Sequence, residues 1–153
     1  YILLYQLWFS SDILDFTKKL AQNTGCEIIS LPFPMGKYIK SKCNLTAGPS
    51  ELLGLIKNAK YVVTSSYHGM LLSIIFNKSF FVEAPTSLGV ESRIEVLLKE
   101  LNLLNRTISY AVHEGWNNSI NYEAVNEKIE KKKLESMVYL KEILSLNDLG
   151  RKS

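Results

Sequence analysis

The sequence predicts an α/β domain built on a doubly wound parallel sheet. Short apolar strands alternate with amphipathic helices, those strands are apolar on both faces, and hydroxyl, His and Gly residues gather where a strand hands over to a helix. A chain of 153 residues, 46% hydrophobic and 22% charged, is long enough to bury one real core.

Taken in order, Ile2 to Trp8 reads as a first strand that opens almost at Tyr1, which fits a piece of a longer protein. Ser10 or Ser11 can cap a helix running to about Asn23. Ile13, Phe16, Leu20 and Ala21 lie on one side of it, Asp12 and Asp15 come early, and Gly25 is the stop. Cys26 to Leu31 makes a second strand, ended by the turn Pro32-Phe33-Pro34-Met35-Gly36. Residues 32–48 show no convincing period and read as loop. Gly48-Pro49-Ser50-Glu51 starts a short helix with Leu52, Leu53, Leu55, Ile56 and Ala59 as its buried stripe.

The stretch from Lys60 to Phe76 is the centre of the chain. A buried strand, three hydroxyls at Thr64, Ser65 and Ser66, a His68-Gly69 step and an apolar run read as strand, tight turn and buried helix. In a parallel sheet this turn lies at the carboxyl edge, where unpaired N–H groups and the helix dipole favour an anion. Thr64, Ser65, Ser66, His68 and Gly69 are therefore candidate ligand residues. The plain alternative is that a serine caps the helix, His68 bonds a nearby loop and Gly69 permits close packing.

Asn77-Lys78 then turns the chain into a strand from Ser79 to Glu83, and residues 84–91 read as a second loop at the same edge. Ser92 and Glu95 fit a capping box, followed by Ile94, Leu97, Leu98 and Leu101 at helical spacing. Arg93 falls in the first turn of that helix. A cation there opposes the helix dipole at a cost of about 0.3 to 1 kcal/mol, and is explained either by an anion between it and the helix end or by simple solvation. Asn105 to Ser109 reads as a short edge strand, Ala111 to Ile120 as loop, and Asn121 to about Leu144 as a long helix. Tyr122, Val125, Ile129, Met137, Leu140 and Leu144 would be its buried side, with residues 147–153 frayed.

A formal charge of +3, from 18 basic and 15 acidic residues, is mild, and no basic stripe interleaved with aromatics points to nucleic acid. Cys26 and Cys43 have neither zinc-ligand spacing nor a disulfide framework, so no metal is expected and a reducing cytoplasm is the default. The dinucleotide fingerprint and the Walker loop are missing from this Rossmann-like pattern.

Lys60 to Gly69, led in by Gly48 to Leu53 and Asn58-Ala59 and followed by Asn77-Lys78 and Ser92-Arg93-Ile94, closely resembles the carboxyl-terminal half of the polysaccharide pyruvyl transferase family. Asn121 to Leu144 resembles the helix that closes those proteins, most clearly from Ser136 to Leu140. Ser79 departs from the family, which commonly has proline there. The resemblance implies a GT-B-like two-domain architecture, with residues 1–120 as the Rossmann-like donor-binding domain and 121–146 as a helix packing on it or on a missing amino-terminal domain. It implies transfer of pyruvate from phosphoenolpyruvate to sugar hydroxyls as a ketal, on exopolysaccharide or cell-wall glycan, with no cofactor and no turnover by this piece alone. It makes His68 the catalytic residue, as donor-phosphate ligand or proton donor. Arg93 becomes a clamp on the donor's phosphate or carboxylate, while Ser65, Ser66 and Gly69 line the anion pocket. The implied partners are phosphoenolpyruvate, a saccharide or lipid-linked glycan acceptor, and the missing domain. The implied place is the cytoplasm, or the inner face of the membrane, where Lys131-Lys132-Lys133 could meet anionic lipid.

Two other readings compete. A sugar-nucleotide glycosyltransferase would bind its donor at the same edge and want an acid on the ribose, for which Glu83 or Glu91 is available. A non-catalytic flavodoxin-like or receiver-like module would want an acidic cluster or a Ser/Thr-rich loop after the first strand, where Leu7-Trp8-Phe9-Ser10 stands instead.

Overall fold

The structure, a computed structural model, describes residues 1–31, 48–84, 92–114 and 118–149. Strands β1 (Ile2–Tyr5), β2 (Ile28–Ser30), β3 (Tyr61–Thr64) and β4 (Ser79–Val82) form, among the described residues, a four-stranded, wholly parallel sheet in the order β2-β1-β3-β4. Helices α1 (Ser11–Thr24), α2 (Pro49–Asn58) and α3 (Tyr67–Ile75) make the connections. Strand order reverses at β1, so right-handed crossovers put α1 on one face and α2 and α3 on the other. That is the doubly wound sheet expected. Both of its central strands, β1 and β3, are buried along nearly their whole length, which is why their sequences are apolar without alternation.

The helix boundaries follow their caps. The Ser10 hydroxyl accepts from the Ile13 amide, and Gly25 closes α1 at φ +66°, a conformation that glycine adopts without steric cost. Helix α4 (Arg93–Leu101) starts with the full capping box of Ser92 and Glu95 and ends at Asn102 in the left-handed region. Beneath α1, Phe16 meets Phe81 of β4 edge to face, with centroids 4.8 Å apart, in a cluster with Leu4, Ile13, Leu20 and Val63.

Five expectations change. The first strand stops at Tyr5, and Leu7, Trp8 and Phe9 are exposed loop residues. The pairing ends because β3, the neighbour of β1, turns into Ser65-Ser66: the Tyr5 carbonyl takes the Ser65 amide, and the next donor, the Leu7 amide, goes to a side chain. The second strand is confined to Ile28–Ser30. The edge strand at Asn105 to Ser109 shrinks to one bridge between Val82 and Thr107, preceded by a 3-10 turn at Leu104–Arg106. Part of the expected loop is instead helix α5 (Ile108–Glu114), whose Ile108 and Ala111 are buried in the cluster with α1 residues. Leu53 is exposed on α2, leaving Ile56 and Ala59 as the fully buried part of that stripe. Residues 32–47, which hold the proline-rich turn and Cys43, and residues 85–91 of the second loop lie outside the described residues.

Residues Tyr1–Ile120 form one compact unit and Asn121–Ser153 another. The second holds α6 (Tyr122–Leu149), which runs past the expected end near Leu144. Its expected buried side is only partly so: Val125 is buried, whereas Met137, Leu140 and Leu144 are exposed, because apolar residues between Leu134 and Leu144 are spread around the helix rather than aligned on one stripe. Among the described residues no helix is long and apolar enough to cross a membrane, and no group of three His, Cys, Asp or Glu side chains is placed to hold a metal ion.

Candidate functional site

The carboxyl edge of the sheet is organised by the turn between β3 and α3. Thr64 Oγ1 donates to the Tyr5 carbonyl at 2.6 Å and accepts the Ser66 amide at 2.9 Å, locking the end of β3 to the end of β1. Ser65 is 1% exposed, and its hydroxyl accepts the Leu7 amide at 2.9 Å, so this one side chain holds the start of the loop that follows β1. Ser66 is fully buried and caps α3, its hydroxyl accepting from the Gly69 amide at 3.2 Å. Gly69 sits where α3 crosses the strand ends: a Cβ there would lie 2.7 Å from Thr64 Oγ1 and 2.9 Å from the Tyr5 ring. Ser65, Ser66 and Gly69 thus build the frame of the turn and are covered by it.

The surface of the turn is made by Tyr67 and His68. His68 is exposed in the first turn of α3, and among the described residues its imidazole has one close companion, the Tyr67 ring, at 5.9 Å between centroids and nearly perpendicular. The other companion of Tyr67 comes from α4. The guanidinium of Arg93 lies 5.2 Å from the Tyr67 centroid, a cation–π contact, and has no carboxylate partner among the described residues. Tyr67 is therefore in ring contact with both His68 and Arg93, two candidates far apart in sequence. The amides of Tyr67 and His68 belong to the first turn of α3 and have no acceptor within the helix. Two N–H groups, an imidazole and an arginine stacked on an aromatic ring make a surface suited to an oxyanion, with charge-assisted hydrogen bonds available from the guanidinium.

Tyr67 was not among the candidates from sequence. The signal was present, since an aromatic residue immediately before His68 must emerge from the same helical turn, but its pairing with Arg93 depends on where α4 begins. Glu83, a candidate for a ribose contact, has its carboxylate engaged: it accepts from Trp8 Nε1 at 3.0 Å and from the Ser10 hydroxyl. It thereby holds the far end of the loop that Ser65 holds at its start. Glu91 lies outside the described residues.

Residues 1–87 match the family model described as polysaccharide pyruvyl transferase. The chain belongs to that family. The match covers β1 to β4 and contains the whole β3–α3 turn, whereas Arg93 and α6 lie beyond it. No curated protein and no solved structure matches the chain. Membership in the pyruvyl transferase family makes group transfer the class of chemistry against which the turn has to be read.

Proposed function

We propose that this chain binds the phosphoenolpyruvate donor of a polysaccharide pyruvyl transferase at the amino end of α3, with His68 and Arg93 as its two principal ligands. The observation that carries the reading is the Tyr67 ring, which meets both the Arg93 guanidinium and the His68 ring at a helix end whose first N–H groups have no acceptor within the helix. Phosphoenolpyruvate has two anionic groups, and the turn offers two kinds of cationic or donor group for them. In the reaction, carbon 3 of the enol gains a proton and carbon 2 becomes electrophilic. Two sugar hydroxyl oxygens bond to carbon 2, inorganic phosphate departs with its bridging oxygen, and the two hydroxyl protons balance those taken up by carbon 3 and phosphate. His68 serves this as the hydrogen-bond or proton donor, and Arg93 as the clamp that neutralises phosphate or carboxylate. Tyr67 positions both.

In this reading Ser65 and Ser66 act through the frame and Gly69 lets α3 approach it, while the dipole of α3 adds to the anion's binding. The acceptor is a saccharide or lipid-linked glycan of exopolysaccharide or cell-wall synthesis. A partner domain of GT-B-like type supplies the rest of the cleft, and the work is done in the cytoplasm or at the inner face of the membrane.

Calorimetric titration of phosphoenolpyruvate, with a uridine sugar nucleotide as control, tests the assignment. Binding should weaken by about 1 to 3 kcal/mol in both His68→Ala and Arg93→Ala, the scale of a lost charge-assisted contact. Tight binding of the nucleotide sugar with none of phosphoenolpyruvate would overturn the reading in favour of a glycosyltransferase.

A further inference from the structure

The loop between β1 and α1 has a second side. Pinned by Ser65 at one end and Glu83 at the other, it overhangs a cavity of about 770 Å³ between α1, the end of β4 and α5. Tyr67, His68 and Arg93 take no part in its lining, so this is a separate site from the β3–α3 turn. Its volume lies in the range of small-molecule sites.

The lining has a distinctive chemistry. Trp8 and Phe9 bring two large aromatic rings, 37% and 50% exposed. The Trp8 ring is fixed in orientation because its N–H is held by Glu83, so its face is presented at little entropic cost. Asp12, Asp15 and Glu83 give three carboxylates, beside the Lys19 ammonium and the His113 imidazole, and Lys18 lies 3.6 Å from Asp15. The small excess of acceptors and negative charge that is left favours hydroxyl donors over phosphates and carboxylates, the ligands suited to the His68 side. A carboxylate has about four acceptor positions, so Glu83 can take hydroxyl protons in addition to those of Trp8 and Ser10. Ser109 of α5 adds a hydroxyl whose oxygen can accept, its own O–H donating to Thr107 Oγ1 at 3.4 Å. Aromatic faces flanked by hydrogen-bond acceptors, with an excess of negative charge, fit a neutral molecule that is apolar on one face and carries hydroxyls around its rim.

We propose that this cavity is a saccharide subsite, taking a neutral pyranose unit of the acceptor glycan with its apolar face on Trp8 and its hydroxyls toward Glu83 and α1. The choice of a sugar among neutral polyols rests on the pyruvyl transferase reading. The preference for a neutral ligand over an anion rests on the lining alone. Donor and acceptor then occupy opposite sides of one doubly anchored loop, the anion where the cations and helix end are, the sugar where the aromatic rings and carboxylates are.

Nuclear magnetic resonance titration of the ¹⁵N-labelled chain with methyl glycosides of galactose, glucose, mannose and N-acetylglucosamine tests this. Trp8→Phe assigns the Trp8 indole resonance against that of Trp116. At least one glycoside should shift that indole signal and the Ser109 amide, and its dissociation constant should rise about tenfold in Trp8→Ala through loss of the stacking face. Val112→Arg should do the same by filling the cavity from an exposed position on α5, where misfolding is not at issue. The proposal fails if no glycoside moves the indole, if inorganic phosphate moves it instead, or if both variants bind within about twofold of the parent chain. Phosphoenolpyruvate added to the same sample keeps the two assignments apart. Glycoside binding without phosphoenolpyruvate binding supports this site and removes the donor assignment, and the reverse removes this site alone.

Discussion

Two halves of one short turn behave in opposite ways. Thr64, Ser65, Ser66 and Gly69 are buried and bonded into the strand ends and the start of α3, whereas Tyr67 and His68, interleaved with them in sequence, reach the surface, where their side chains make ring contacts among the described residues. The first group sets where the helix begins and how closely it approaches the sheet, and the second is what the helix presents. Residues of similar polarity therefore carry different costs when changed. Loss of a buried hydroxyl unpairs a backbone group, while loss of the His68 side chain unpairs no polar group among the described residues.

Substitutions can sharpen or break this division. Gly69→Ala should be the most damaging, costing about 1 to 3 kcal/mol, because the new methyl meets Thr64 Oγ1, which two hydrogen bonds hold in place, and the Tyr5 ring. A urea unfolding midpoint equal to that of the parent chain would show that α3 can move away and that the frame is looser than described. Thr64→Val keeps the shape but leaves the Ser66 amide and the Tyr5 carbonyl each short of a partner, for a loss of about 1 to 3 kcal/mol in the same measurement. Ser66→Ala removes the cap of α3 and should cost about 1 kcal/mol. At the low end, His68→Ala should change stability by less than about 0.5 kcal/mol while weakening phosphoenolpyruvate binding. A His68→Ala chain that unfolded markedly more easily would place the histidine in the frame after all.

Much of this edge was legible in the sequence where the signal is local. Ser10, Gly25 and the Ser92–Glu95 box each announce a helix end through a side chain that satisfies backbone groups within a few residues, and all three stand as read. The central strand and helix were equally clear from their apolar runs. Where a feature depends on a distant neighbour, the sequence misleads. Leu7, Trp8 and Phe9 look like a continuation of β1, but a strand needs a partner, and β3 has already turned away. Helix α5 is too short to show a period, and its start is set by the Thr107 carbonyl, which accepts the Ala111 amide just beyond the bridge to Val82. At the turn, the helix end and the place of His68 in its first turn were readable, and the cap and close-packing roles of Ser66 and Gly69 were the plain alternatives. The meeting of Arg93 with Tyr67 was not readable, since it joins two helices through a ring contact that leaves no spacing rule behind. The Trp8–Glu83 bond is hidden for the same reason.

The exposure of His68, with a single ring for company, has an evolutionary consequence. A gene copy that lost this histidine would still encode a chain that folds, so selection for stability gives the residue no protection. If His68 holds the donor as proposed, descendants with the same sheet and an intact frame at Thr64, Ser66 and Gly69 can drift into silence as catalysts while persisting as folded proteins. On that proposal the side chain at position 68, and not the shape of the molecule, would separate a working transferase from its relic.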